Sequence, residues 1–172
     1  MSKNKIIISS SDNKYFFLIK ELYLSLKNNG ILDEYDFAIL DTGLDLKQKN
    51  YFKDHKVLVK SAEWNVEVPK YKILGRENLK TQVARAFLPD YFNNYKLYIW
   101  LDADMWLNDI ESFYLYERGA LNDKLTIVPQ SDRAYVKNAN VEWLFGFPKK
   151  IKTINYKNIS KSISKSLGQK YA

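Results

Sequence analysis

The chain has 172 residues, 46% hydrophobic and 15% aromatic, enough to enclose the core of one globular domain and unlike the composition of a disordered chain. It has no cysteine and a single histidine, His55, which excludes disulfides, thiolate nucleophiles, cysteine–zinc sites, histidine triads and multi-histidine metal centres. The net charge of +7 is local: residues 149–172 hold seven Lys and no Asp or Glu, leaving 20 basic against 20 acidic side chains elsewhere, so no nucleic-acid partner is expected.

After a lead at Met1–Lys5 that is too short for a signal peptide, Ile6-Ile7-Ile8-Ser9-Ser10 reads as a buried strand ending in small polar residues. Asp12 suits a helix N-cap. Apolar residues at Phe16, Ile19, Leu22, Tyr23 and Leu26 then predict an amphipathic helix from Tyr15 to Lys27, ended by Asn28-Asn29-Gly30. A second strand at Tyr35–Leu40, closed by Asp41-Thr42-Gly43, a short helix at Leu44–Phe52 and a third strand at Lys56–Val59 follow, with His55 a surface residue in a loop or helix end. Beyond a looser segment at Ser61–Arg76, a helix is expected from Leu79 to Leu88, stopped at Pro89. Lys96–Leu101 reads as the fourth strand, Ile110–Tyr116 as helical or irregular, and Leu125–Pro129 as a further strand. This alternation predicts an α/β fold, three layers with a mostly parallel central sheet, over residues 1–148.

From Lys149 the character changes. Ile159, Ile163 and Leu167 recur every fourth residue, with Lys161 and Lys165 on other faces and Gly168 as a stop. Residues 149–172 are expected to form a basic segment with an amphipathic helix that packs on the domain, and docking on a membrane surface is the less favoured reading. No run approaches the roughly 20 apolar residues of a membrane span. The expectation is a soluble, cytoplasmic protein.

Chemistry concentrates at the exit of the fourth strand, where Asp102-Ala103-Asp104 places two carboxylates one residue apart. Hard divalent cations take such oxygen ligands and share them with substrate phosphates, and strand carboxyl ends are where open α/β sheets bind ligands. The tripeptide alone is weak, because with twelve Asp in 172 residues about one arises by chance; read blandly, it is two solvated carboxylates in a turn. Its surroundings add weight. The first strand ends in Ser9-Ser10-Ser11-Asp12, whose amides and hydroxyls suit a nucleotide. Tyr15 either stacks on a base or is simply the first aromatic of the core helix. The helix before the fourth strand carries Gln82 and Arg85, and Arg85 is either a partner for anionic oxygens or a solvated helix charge.

Taken together, Ile6–Tyr15 with its S-S-S-D-x-x-Y, Ser25-Leu26, Arg85-Ala86-Phe87-Leu88-Pro89 and Tyr98–Asp104 resemble the glycosyltransferases of the GT-A fold, closest to the family-8 type, over roughly residues 5–135. The resemblance implies a nucleotide-diphosphate sugar donor, a UDP-sugar above all, a Mn²⁺ or Mg²⁺ ion, and a glycan, protein or lipid acceptor that these residues do not specify. By position, Asp104 would ligate the metal and Asp102 would share it and approach the ribose. Arg85 would steady the donor sugar or diphosphate, with Gln82 on the same donor side. Ser9, Ser10, Asp12 and Tyr15 would border the nucleoside. Members of that family carry a further stretch of about a hundred residues with an Asn-x-Gly segment and a late metal-binding histidine. Neither follows Asp104 here, so the expectation is of the nucleotide-binding half alone.

Two alternatives stand beside this. Phosphotransferases of the haloacid-dehalogenase type also place D-x-D after a strand, but after the first strand and before Thr or Val, whereas here it follows the fourth and precedes Met105-Trp106. The other is a catalytically incomplete module that binds a nucleotide sugar without transferring it, or that assembles with a partner through its lysine-rich helix.

Overall fold

Ile6, Ile7 and Ile8 are all fully buried, the mark of a central strand covered on both faces. In the computed structural model, which describes residues 3–121, 125–127, 139–144 and 147–153, they lie in β1 (Lys5–Ser11). α1 (Phe16–Asn28), α2 (Ile31–Glu34), β2 (Asp36–Asp41), α3 (Leu46–Asp54), β3 (Leu58–Ser61) and α4 (Lys70–Ile73) follow. Next come α5 (Lys80–Ala84) and α6 (Leu88–Tyr91), each preceded by a 3₁₀ turn (Glu77–Leu79 and Arg85–Phe87), then β4 (Leu97–Trp100) and α7 (Ile110–Ala120). The strands form one sheet in the order β3-β2-β1-β4, with every pair parallel. The α/β expectation holds.

Strand alternation splits the core into two layers. Ile7, Phe37 and Ile39 face Ile19, Leu22 and Leu26 of α1, Phe52 of α3 and Phe113 of α7. Ile6, Ile8, Ala38 and Leu40 face Ala84, Leu88, Tyr91 and Phe92 on the other side. Helices thus cover both faces of the sheet, which is why its strands read as apolar runs and not as an alternating pattern.

The chain divides into two compact units, residues 1–120 and 121–172. In the second, Ala139–Leu144 (β5) and Phe147–Thr153 (β6) pair as an antiparallel hairpin with a bulge between Glu142 and Trp143. Sequence reading did not foresee it; Lys149, Lys150 and Lys152, read as the opening of a basic tail, lie in its second strand. Residues 125–127, expected in a strand, have no regular structure, while Val128, Pro129 and the helix expected around Ile159–Leu167 lie outside the described residues. No described helix is long and apolar enough to cross a membrane.

Two local expectations are corrected. Pro89 does not end the segment that begins at Leu79. It sits in the first turn of α6, where its missing N–H leaves no helical bond unmade, and the segment is broken instead into short α and 3₁₀ pieces. Asp12 is not the residue adjoining α1. Its carboxylate accepts the Tyr15 N–H at 3.0 Å across the turn before the helix, and Tyr15 holds the capping position without a side-chain bond.

Candidate functional site

The carboxyl ends of β1 and β2 are tied into one platform. Gly43, at φ +143° in the loop after β2, allows the Gly43 and Leu44 amides to converge on Asp41 Oδ1 at 2.8 and 2.7 Å. Burial alone would push the Asp41 carboxyl up, but the Lys49 ammonium at 2.6 Å and those two amides outweigh it and hold its pKa below the ordinary carboxylate value. Asp45 and Gln48 form a capping box at the start of α3. Gln48 Nε2 then donates to Asn13 Oδ1 at 2.7 Å, joining this loop to the one after β1.

Beside this platform, the pairing of Ile8 with Trp100 and the Leu101 N–H to Ile8 carbonyl bond of 3.0 Å end the β1–β4 ladder. The chain then turns, with the Met105 N–H on the Asp102 carbonyl at 3.0 Å. Ala103 packs against the α1 side of the core, while Asp102 and Asp104 on either side of it are exposed. The D-A-D spacing therefore puts both carboxylates outward with one small apolar anchor between them.

Two residues that sequence reasoning did not assign to the site hold this loop from behind. Asn29 Nδ2 donates to the Leu107 carbonyl at 3.2 Å, and the Leu107 N–H donates to Ser25 Oγ at 3.3 Å. The loop then ends at Asp109, whose carboxylate accepts from the Ser112 hydroxyl and from the Ser112 and Glu111 amides at the start of α7. Those bonds hold its pKa below the ordinary value. Ser25 was legible only as part of a motif, and its contact spans 82 positions of sequence, a separation that no local pattern encodes.

Asp102 is already engaged. Arg85 Nη2 and Trp100 Nε1 both donate to its Oδ1, the indole at 2.8 Å. The Arg85 guanidinium also lies over the Trp100 ring, 4.6 Å from its centroid. Arg85 Nε is buried with no partner among the described residues. Asp102 Oδ2 and the Asp104 carboxylate receive no hydrogen bond from any described residue.

The remaining expected site residues sit as follows. The Ser9 side chain is fully buried, and its hydroxyl has no partner among the described residues. Any ligand contact from Ser9 therefore falls to its main chain. Ser10 is half-buried and, by strand alternation, shares the face of Ile6 and Ile8, on which Trp100 also packs. Tyr15 is 45% exposed. Gln82 is exposed in α5, three residues before Arg85, with no contact to Asp102. The structure thus brings Arg85, Asp102 and the unforeseen Trp100 into direct contact.

Two outward carboxylates supply hard oxygen donors, the chemistry that Mg²⁺ and Mn²⁺ accept when waters and phosphate oxygens complete the shell. Among the described residues no group of three His, Cys, Asp or Glu converges, so no third such side chain joins these two carboxylates there.

Fold and site define an α/β protein with a parallel sheet and an acidic pair beside an arginine at the carboxyl end of β4. Among solved structures, the chain is similar to an active-site mutant of LgtC, at 18% identity with a TM-score of 0.48, covering 65% of this chain and 41% of that one. The chain thus spans less than half the length of that protein. No protein-family model and no curated protein matches it.

Proposed function

We propose that the protein binds a nucleotide-diphosphate sugar, of which a UDP-sugar is the leading candidate, with Mn²⁺ or Mg²⁺ at Asp102 and Asp104, and transfers the sugar to an acceptor. The observation that carries the reading is the outward acidic pair just past the end of β4, with Arg85 bonded to its first member. Asp104, free of partners among the described residues, and the open Oδ2 of Asp102 would hold the cation. Arg85 would meet the diphosphate or the donor sugar through its fork of N–H donors. Ser10, Asp12 and Tyr15 would border the nucleoside, and Gln82 the donor side. A divalent cation bound there supplies Lewis acidity toward the leaving diphosphate. Departure of the sugar builds negative charge on those phosphate oxygens, and Arg85 would be placed to stabilise it.

One observation favours binding without turnover as the second reading: among the described residues no group of three His, Cys, Asp or Glu is placed to hold a metal ion. Titration of UDP and UDP-sugars with and without Mn²⁺, followed by an assay for release of UDP, separates the two. Metal-dependent binding with UDP release supports transfer or donor hydrolysis. Binding without release supports the module. Absence of binding under both conditions overturns both readings.

A further inference from the structure

The contact between Arg85 and Asp102 has a consequence for the order in which ligands enter. We infer that Arg85, backed by Trp100, occupies the cation's place at Asp102 in the ligand-free protein, so that an anionic diphosphate must draw it away before the metal binds tightly. The inference rests on the assignment of Asp102 and Asp104 as metal ligands. One oxygen, Oδ1, takes two donors at once, the Arg85 guanidinium and the Trp100 indole N–H. The guanidinium is held in place from its face as well, 4.6 Å from the Trp100 ring centroid. A carboxylate oxygen saturated in this way, beside a fixed positive charge, is a poor ligand for a second cation. Only Oδ2 and Asp104 stay open to it.

Arg85 Nε is buried and unpartnered among the described residues, a donor left unsatisfied in this position that a diphosphate reaches only when the side chain turns outward. A diphosphate carries two or more anionic oxygens in the planar spacing that a guanidinium fork accepts. When Arg85 turns to it, Oδ1 is freed and the local positive charge is shared with the incoming phosphates. Metal and nucleotide affinities are then coupled, and by thermodynamic reciprocity each raises the other by the same factor. Trp100 acts in this as a positioning residue, through its ring and its N–H.

The coupling arising from a metal bridging phosphate and carboxylate would exist without Arg85, so the test turns on the metal alone. Calorimetric titration of Mn²⁺ into the nucleotide-free full chain is expected to show tighter binding to Arg85→Met than to the wild type, by about fivefold or more. Trp100→Phe, which keeps a ring and deletes the N–H, is expected to move in the same direction by a smaller factor. Either rise supports the inference, and circular dichroism confirms that each variant is folded. If Mn²⁺ binds the wild type and binds both folded variants equally or more weakly, Arg85 is not a competitor and the inference falls while the metal assignment stands. If Mn²⁺ binds none of the three, with or without UDP, the metal assignment falls and takes the inference with it.

Discussion

At the scale of single residues, the acidic pair is not symmetric. Asp102 serves the folded protein as well as any ligand, because it terminates Arg85 and the Trp100 N–H. Asp104 is exposed and bonds to no described neighbour. Asp104→Asn is accordingly expected to leave stability within about 0.5 kcal/mol of the wild type while weakening Mn²⁺ binding in the presence of UDP by tenfold or more, measured by thermal denaturation and calorimetry on the same preparation. A large loss of stability, or unchanged metal binding, would remove Asp104 from the metal site. The pair itself was legible in the sequence, because two carboxylates one residue apart at the end of an apolar run are a local pattern. Trp100 was legible only as an apolar strand residue. Its second use, the indole N–H on Asp102, depends on a rotamer and on Arg85 arriving from another element.

At the scale of elements, the strands and longer helices were readable because apolar spacing reports burial directly. The segment 77–91 was not, because Pro89 carries opposite meanings at a helix end and in a first turn, and only the fold decides which applies. Likewise, the lysines of β6 obscured a hairpin. The docking of α7 adds to its Phe113 packing a contact that no periodicity announces. Glu117, almost fully buried, meets Lys5 Nζ of β1 at 2.5 Å. Burial works against the Glu117 carboxylate, yet the Lys5 ammonium, together with the Tyr35 hydroxyl and the Arg118 charge, outweighs it and holds its pKa below the ordinary 4.5. The Glu117 hydrogen bond in turn raises Lys5 above 10.5, against the smaller opposing effect of its own burial. The signs define a window. A depressed carboxyl contributes stability that is present above its unfolded value and is lost as pH falls through the folded one. A raised ammonium contributes stability that is present below its unfolded value and is lost as pH rises through the folded one. Glu117→Gln is expected to lose about 1–3 kcal/mol at pH 7, because Lys5 is left without its closest partner, and less at pH 3. Denaturant unfolding at the two pH values checks this, and an equal loss at both would show that the pair is not what docks the helix.

At the scale of the whole molecule, the described residues outside the basic segment carry little net charge. What the sheet offers is a set of parallel strands whose carboxyl ends are stiffened by the Asp41 loop, the Asn13–Gln48 link and the Leu107 anchor. A ligand spanning β1 and β4 would find these ends assembled only in the native state, so its binding energy adds to folding stability. At a hundred times the dissociation constant this amounts to about 2.7 kcal/mol, a rise in Tm of about 5–10 °C for a chain of this size. On the proposed assignment, Arg85 sets the pattern among ligands. Mn²⁺ alone is expected to shift Tm by less than a third of the rise produced by Mn²⁺ and UDP together, since alone it meets a carboxylate already bonded to a cation. UDP alone is expected to fall between, because it gains Arg85 but lacks the metal. Differential scanning calorimetry across the three conditions decides the matter. A shift with Mn²⁺ alone as large as that with both ligands would place the metal somewhere other than beside Arg85.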